Sequence, residues 1–181
     1  MIDRGKKRDL QRMNSESKRS VCMVCSGNIC RSPYAEFALR HRLSEVGLDR
    51  SIEVSSGGTL NIEGQPAHQL TLAFAAERGL NLIGFRSRGI DPDRVKDTDL
   101  FVALGSEHLA PLRDEIGIPP NRIWLITHPG VAQIPSDAEG ITDPIGFDEL
   151  PYRQTLEAID RSLPHLTDVL RTWAEGDLSD R

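Results

Sequence analysis

The sequence has few cysteines and no long apolar run, and each lack argues against a class of protein. Cysteine occurs three times in 181 residues, too rarely to staple a domain of this length, so a reducing cytoplasm is the simpler setting. No stretch approaches the ~20 apolar residues of a membrane-spanning helix. The opening residues, MIDRGKKRDLQRMNSESKRS, contain no apolar segment typical of a secretory signal. We therefore expect a cytoplasmic protein without a membrane span.

Aromatic residues are also scarce, at 5% of the chain, and the net charge is −5. Residues 1–19 depart from this acidic balance, because their lysines and arginines outnumber their acidic residues. No aromatic residue is interleaved with these charges, which argues against a nucleic-acid platform. We predict a basic, disordered N-terminal extension over 1–19, a single domain over 20–173 and a polar tail over 174–181.

Segments that favour strands alternate with segments that favour helices. Strands are predicted at 20–25, 51–56, 99–104 and 122–126, and helices at 32–47, 67–79 and 106–117. From Leu150 to Trp173, apolar residues recur at steps of four and three along one face of a long helix, which Pro164 should kink or split. This alternation predicts an α/β fold, with a parallel sheet covered by helices on both faces. Ligands of such sheets bind beyond the carboxyl ends of the strands.

All three cysteines lie in VCMVCSGNICRSPYAEF, residues 21–37. Cys22 and Cys25 form a C-x-x-C pair, a spacing found in zinc sites and redox dithiols. However, two strand residues three apart point to opposite faces of the sheet, and no second cysteine pair or histidine cluster supplies further ligands. We therefore expect no metal and no other cofactor, and we interpret Cys22 as a small core residue.

Cys25 ends the first predicted strand, and Arg31 follows six positions later. Between them, Gly27 and Asn28 tolerate left-handed backbone conformations, which let a loop turn its N–H groups inward as an anion nest. A helix with Ser32 as its N-cap would add its positive end to the same place. Such a pocket favours a cysteine thiolate, and an arginine fork matches two phosphate oxygens. The loop therefore predicts that Cys25 attacks phosphorus and forms a phosphocysteine.

A thiolate that expels a phenolate needs an acid to protonate the leaving oxygen. The segment GITDPIGF, residues 140–147, offers Asp143 before Pro144 in a turn-prone stretch after the fourth strand. A lone Asp-Pro is usually only a turn. Beside the cysteine loop, we interpret Asp143 as the general acid.

The chain resembles the low-molecular-weight protein tyrosine phosphatases from Ser20 to Trp173. The motifs that carry the resemblance, in the family's order and spacing, are VCSGNICRSPYAE (24–36), VSSGGT (54–59), SRGI (87–90) and DP (143–144). The resemblance implies a four-stranded parallel sheet with the flavodoxin-like three-layer architecture, and no metal. It also implies a phosphatase that acts on phosphotyrosine proteins, such as an autophosphorylating tyrosine kinase.

The resemblance further assigns roles to individual residues. It implies Cys25 as nucleophile, Arg31 as phosphate clamp and Asp143 as general acid and later as base for water. Asn28 would hold the loop, and the Ser32 hydroxyl would steady the thiolate. The phosphate-binding loop comprises Ser26, Gly27, Asn28, Ile29, Cys30 and Ser32, and the substrate cleft Leu60, Ile145 and Phe147. We also predict Cys30 as a redox partner that traps an oxidised Cys25 as a disulfide.

The chain departs from the family pattern at several positions. Phe85 stands where a histidine is common, Ser87 replaces an alanine, and Gly105 stands where an aspartate is often found. Residues 145–147 replace tyrosines that wall the cleft in many relatives. These differences affect the polar support of the cleft and the choice of substrate, and leave the nucleophile, clamp and acid in place.

Two other functions use the same residues. The first is related chemistry on phosphoarginine or arsenate. Arsenate reductases of this fold use two further cysteines, and none follows Cys30. Gly146 matches relatives that prefer phosphoarginine, but these carry threonine where this chain has Ile29, so phosphotyrosine is favoured. The second is a non-catalytic anion-binding module, which would not need all three catalytic groups.

Overall fold

The computed structural model describes residues 18–131 and 133–176. Four strands form one parallel sheet in the order β2-β1-β3-β4. The strands are β1 (Arg19–Cys25), β2 (Ile52–Gly58), β3 (Leu100–Ala103) and β4 (Ile123–Leu125). The helices are α1 (Arg31–Glu45), α2 (Gln69–Glu77), α3 (Pro92–Asp97) and α4 (Glu149–Ala174). The predicted parallel α/β sheet is confirmed.

Strand β1 lies in the middle of the sheet and contributes to both hydrophobic cores. Met23 and Cys25 belong to the core that also contains residues of α1, α2 and α4. Cys22 and Val24 belong to the core on the other side, which includes Leu112 and other residues of the segment after β3. Cys22 and Cys25 therefore do point to opposite faces. Burial raises the pKa of the Cys22 thiol to about 11, as suits an unreactive core residue.

Helix α4 is continuous from Glu149 to Ala174, so of the two predicted effects of Pro164, a kink or a split, the split does not occur. Pro164 lies on the exposed side of the helix, where solvent can satisfy the carbonyl that a proline leaves without a donor. The buried face is the predicted one and comprises Tyr152, Leu156, Ile159, Leu163, Leu166 and Leu170. None of the helices within the described ranges is long and apolar enough to cross a membrane.

Two helical segments differ from the sequence-based prediction. The stretch 106–117 contains a 3₁₀ turn (Ser106–His108) and a π-helical turn (Pro111–Glu115), with Pro111 at the start of the second. Helix α3 was not predicted, although its N-cap, Asp91, accepts a hydrogen bond from Arg94 N (2.9 Å) and Pro92 follows it. Residues 1–17 of the predicted extension and 177–181 of the predicted tail lie outside the described residues.

Candidate active site

The loop between β1 and α1 takes its shape from Asn28. Its φ is +53°, whereas Gly27 has no positive φ, so the left-handed residue is the asparagine alone. Asn28 is fully buried. Its Oδ1 accepts a hydrogen bond from Arg88 N (2.9 Å), and its Nδ2 donates to Ser32 Oγ and Ser56 Oγ, both at 2.8 Å. The predicted loop-holding position of Asn28 thus has a direct structural counterpart.

The end of β2 passes directly beneath this loop, and Gly58 makes the approach possible. A Cβ at Gly58 would lie 2.7 Å from Ser26 O and 2.9 Å from Asn28 N, closer than real side chains come. Two backbone hydrogen bonds then tie the segments together, from Thr59 N to Cys25 O (3.1 Å) and from Leu60 N to Ser26 O (2.9 Å). The VSSGGT motif therefore supports the loop from below.

The hydroxyl of Ser32 lies 3.0 Å from the Cys25 sulfur. The amide of Asn28 is oriented by the donor Arg88 N, so both of its own hydrogens go to the oxygens of Ser32 and Ser56. Ser32 Oγ therefore accepts from Asn28 and can donate its own proton to Cys25 Sγ, 3.0 Å away, while Gly57 O lies within reach at 3.5 Å. A hydroxyl in this position can donate a hydrogen bond to the sulfur.

Ser32 is not the N-cap of α1. The helix begins one residue before it, and its N-cap residue is Cys30, which makes no side-chain capping bond. The Ser32 hydroxyl contacts Cys25 Sγ and Gly57 O instead, and the uncapped positive end of α1 faces the loop that precedes it. Ser32 thus contacts the predicted nucleophile from the first turn of α1.

Beyond Asn28, the polar chain continues to a buried carboxylate that the sequence analysis missed. Ser56 Oγ donates to Glu36 Oε2 (2.5 Å), and Arg40 Nη2 lies 2.7 Å from Glu36 Oε1. Glu36 is 1% exposed, whereas the Arg40 side chain is 44% exposed, so the chain of polar groups runs from Cys25 to the surface. Both Ser56 and Glu36 lie in motifs quoted for the family resemblance, which was the available signal.

Arg31 is buried and held by groups from two other loops. Its Nη1 donates to Glu107 Oε1 (2.7 Å) and Ile141 O (2.8 Å), and its Nη2 to Asp143 Oδ2 (2.6 Å). Its Nε has no hydrogen-bond partner within the described part of the chain. A buried donor without a partner is costly, so Nε is suited to receive an oxygen of an anionic ligand.

Asp143, the predicted acid, lies against the predicted clamp. Its side chain is 40% exposed, and its Oδ1 accepts a hydrogen bond from Ile145 N (3.1 Å). The residues assigned to the substrate cleft are exposed apolar side chains: Leu60, Ile145 and Phe147. Leu60 follows the end of β2 beside the loop, and the other two follow Asp143, so all three stand next to segments that form the site.

His108 also contacts the loop, and sequence reasoning did not single it out. Its Nε2 lies 3.0 Å from Ser26 Oγ, and its Nδ1 is 3.1 Å from Gly105 N. Burial lowers the pKa of His108, although the neighbouring Glu107 carboxylate opposes this. For Glu107, burial alone would raise the pKa, but the hydrogen bond from Arg31 and the nearby positive charges bring it below its ordinary value.

Cys30, the loop residue directly before α1, is buried and forms no disulfide. Burial raises the pKa of Cys30 to about 11, and a hydrogen bond with Tyr152 partly opposes this. Tyr152 is itself fixed by Thr71, whose Oγ1 lies 2.7 Å from the Tyr152 hydroxyl. Burial also raises the pKa of Tyr152, so the phenol stays a proton donor toward Cys30.

Two of the departures from the family pattern have a structural role outside the phosphate loop. Phe85 is buried and packs edge-on against Phe37, with ring centroids 6.4 Å apart. Ser87 Oγ accepts a hydrogen bond from Gln65 N (2.9 Å) and so fixes the segment after β2.

Within residues 18–131 and 133–176, no cluster of three or more His, Cys, Asp or Glu residues could hold a metal ion.

Comparisons with known proteins place this arrangement in a family. The family model described as low molecular weight phosphotyrosine protein phosphatase matches residues 20–175. A low molecular weight protein-tyrosine-phosphatase of Streptomyces coelicolor is 33% identical over 161 residues, covering 86% of this chain and 96% of the relative. Low molecular weight protein-tyrosine phosphatase A of Mycobacterium tuberculosis is 29% identical, with 88% and 93% coverage.

Solved structures show the same fold. YfkJ from Bacillus subtilis is 27% identical with a TM-score of 0.68, covering 84% of this chain and 97% of YfkJ. The YwlE arginine phosphatase from Geobacillus stearothermophilus is 23% identical with a TM-score of 0.71, covering 85% of this chain and 94% of its own. The latter likeness concerns the fold alone. With the family model matched over almost all of the described residues, this chain belongs to the low molecular weight phosphotyrosine protein phosphatase family.

Proposed function

We propose that this chain hydrolyses phosphotyrosine monoesters of proteins through a phosphocysteine intermediate, without a cofactor. Cys25 is the nucleophile, Arg31 the phosphate clamp and Asp143 the general acid and base. The observation that carries the proposal is the 3.0 Å contact between Cys25 Sγ and Ser32 Oγ, in which we assign the hydroxyl as the donor. A sulfur held as an acceptor at the positive end of a helix is suited to nucleophilic attack.

In the first step the substrate phosphate enters the loop and accepts hydrogen bonds from Nη2 and Nε of Arg31. Asp143 now contacts Nη2, so binding of the phosphate separates the acid from the clamp. The Cys25 thiolate attacks phosphorus, and the bond from phosphorus to the phenolic oxygen breaks. Asp143, carrying a proton, donates it to the leaving oxygen, which departs as the neutral phenol. Arg31 and the loop N–H groups offset the charge on the transferring phosphoryl group.

The second step hydrolyses the phosphocysteine. Asp143, now a carboxylate, takes a proton from a water molecule as that water attacks phosphorus. The sulfur–phosphorus bond breaks, inorganic phosphate is released and the thiolate returns. The hydrogen bond from Ser32 assists this step too, because it stabilises the sulfur as a leaving group.

We infer that the substrates are phosphotyrosine proteins, among them an autophosphorylating tyrosine kinase, and that the enzyme acts in the cytoplasm. Curated relatives support the substrate class, since Etp and Wzb of Escherichia coli are named low molecular weight protein-tyrosine-phosphatases. A buried cysteine nucleophile with free thiols nearby suits a reducing compartment. We infer a domain over 20–173 with an extension before it and a tail after it, and Arg19 in β1 and Ala174 in α4 each lengthen that domain by one residue.

The apolar rim favours an aromatic leaving group over a guanidinium. Ile29, within the loop, and the exposed Leu60 and Phe147 beside it offer apolar contact but no side-chain hydrogen-bond acceptor. These three side chains can pack against a phenyl ring but cannot accept a hydrogen bond from the N–H groups of a guanidinium. A non-catalytic anion-binding module would bind phosphate equally well but would not turn over.

The test is hydrolysis of an aryl phosphate by the full chain, with and without EDTA, compared with Cys25→Ser. We expect turnover by the wild type that EDTA does not change. We expect none by the variant, because a serine hydroxyl with no adjacent base is a poor nucleophile. Binding of inorganic phosphate to Cys25→Ser, measured by calorimetry, serves as the control for an intact pocket. Phosphate binding without turnover by the wild type would favour the anion-binding module.

A further inference from the structure

Gly105 leaves a space at the end of β3, and the side chain two residues later fills it. A Cβ built at Gly105 would lie 2.0 Å from Glu107 Oε2 and 2.4 Å from both Oε1 and Cδ. The Glu107 carboxylate therefore occupies the volume into which a side chain at position 105 would project. Any residue other than glycine at 105 would force this carboxylate to move.

The carboxylate in that space is bonded to Arg31. Glu107 Oε1 lies 2.7 Å from Arg31 Nη1, which also donates to Ile141 O at 2.8 Å. The same Oε1 lies 3.5 Å from His108 Nε2, the atom that contacts Ser26 of the phosphate loop. Glu107 thus links Arg31 to His108, the residue that contacts Ser26 of the phosphate loop.

The carboxylates of Asp143 and Glu107 contact different nitrogens of Arg31 and have different roles. Asp143 holds Nη2, which is the edge that a phosphate needs, and it has to leave that edge to protonate the leaving group. Glu107 holds Nη1, on the opposite corner of the guanidinium, and nothing in the reaction requires it to leave. Once Asp143 has moved, Glu107 and the Ile141 carbonyl are the groups that keep the planar fork aimed at the loop.

We propose that Glu107 is a positioning residue for Arg31, and that Gly105 is needed to give its carboxylate room. The inference rests on the proposed phosphatase function. The Glu107 carboxylate occupies the volume that a carboxylate at position 105 would occupy, and from there it holds the guanidinium of Arg31. We therefore expect that the negative charge beside Arg31 can come from position 105 or from position 107, and that removing it from both impairs the enzyme.

This exchange can be tested by moving the carboxylate from one position to the other. Glu107→Ala should lower kcat/KM on an aryl phosphate by about 10-fold to 100-fold, the range for a lost hydrogen bond to a buried charged group. Gly105→Asp alone should also be impaired, because two carboxylates then compete for one space. The double variant Gly105→Asp/Glu107→Ala should recover to within about 3-fold of wild type, which is the scatter expected of imperfect geometry.

A second readout does not depend on turnover. In the Cys25→Ser background, calorimetry with inorganic phosphate should show weaker binding on addition of Glu107→Ala and recovery in the combination with Gly105→Asp. Glu115→Ala, an exposed carboxylate on the same segment, is the matched control and should change neither measurement. A merely structural role for Glu107 would not be rescued by an aspartate at a different position.

Two results would overturn the inference. One is a Glu107→Ala variant with unchanged kcat/KM and unchanged phosphate affinity. The other is a folded double variant that stays as impaired as Glu107→Ala in both measurements. Failure of the proposed function would look different, since wild type itself would then not hydrolyse the aryl phosphate, whatever residue stands at 107.

Discussion

Arg31 Nη2 and Asp143 Oδ2 lie 2.6 Å apart, so the predicted clamp and the predicted acid contact each other directly. The two residues are 112 positions apart in the chain, and Arg31 is 1% exposed while Asp143 is 40% exposed. A phosphate that takes the Nη2 edge of Arg31 competes with this carboxylate. We therefore expect substrate binding to release the Asp143 carboxylate from Arg31.

Removal of the acid should separate these two effects. Asp143→Ala should lose ~10²–10⁴-fold in kcat on aryl esters with poor leaving groups, and much less on esters whose leaving group needs no proton. At the same time, inorganic phosphate should inhibit the variant more strongly, because its competitor for Nη2 is gone. Steady-state kinetics with a series of leaving groups measures both effects. Equal losses across the series would mean that Asp143 is only a turn residue.

The polar chain behind the loop should be sensitive at Ser56. Ser56→Ala removes an acceptor of Asn28 Nδ2 and a donor to the buried Glu36, so we expect the free energy of unfolding to fall by about 1–3 kcal/mol. We also expect kcat/KM to fall, because Asn28 is then less firmly held. Ser55→Ala is the matched control, since Ser55 contacts Val21 O (3.4 Å) and the Cys22 thiol rather than Asn28 or Glu36. Similar losses in both variants, measured by urea unfolding and kinetics, would contradict the assignment.

Mild peroxide should inactivate the enzyme reversibly through Cys30. Oxidation of the Cys25 thiolate gives a sulfenic acid, and attack by the Cys30 sulfur forms the disulfide and releases water. The pKa of Cys30 is raised to about 11, so its reactive thiolate is scarce at neutral pH and closure should speed up as the pH rises toward that value. Peptide mapping and recovery with a thiol reductant measure this.

The controls for that experiment are the other cysteines. Cys30→Ser should be inactivated irreversibly by the same treatment, because nothing then traps the sulfenic acid before further oxidation. Cys22→Ser should behave as wild type, since Cys22 lies in the core on the other side of the sheet. A wild-type protein that recovers its activity but shows no Cys25–Cys30 link would remove this role from Cys30.

Substrate choice should depend on Ile29. The Ile29 side chain packs partly against the core at the loop and cannot hydrogen-bond to a guanidinium. Wild type should therefore favour phosphotyrosine over phosphoarginine peptides, and Ile29→Thr should narrow or reverse the ratio of kcat/KM, since one polar contact in a desolvated site is worth ~1–3 kcal/mol. Measuring both peptides on both proteins decides it. A wild-type preference for phosphoarginine would refute the claim.

The parts of this molecule that local patterns encode were predictable. The apolar VCMVC run, the Gly-Asn turn and the following helix lie next to one another in the chain, so the sequence predicted β1, the loop and α1 almost at their observed bounds. Pro164 does not break α4, because the tertiary packing of the helix's apolar face outweighs the loss of one backbone hydrogen-bond donor.

Contacts between distant residues were not predictable in this way. Glu107 meets Arg31 across 76 positions, and its role depends on the space at Gly105, which becomes visible only when the end of β3 is folded against the loop. Ser56 and Glu36 were quoted within motifs but could not be joined to Asn28 without the parallel pairing of β1 and β2. The sequence shows that Gly105 departs from the family pattern, but it does not show that the Glu107 carboxylate fills the space beside it.

The most direct test of the mechanism is to trap the phosphocysteine. Wild type mixed with an aryl phosphate and quenched in acid within milliseconds should carry one phosphate, and mass spectrometry of its peptides should place it on Cys25. Asp143→Ala should accumulate more of this species with a good leaving group, because the base for the second step is absent. Rapid turnover with no phosphate on Cys25 at any quench time, in either protein, would contradict a phosphocysteine mechanism.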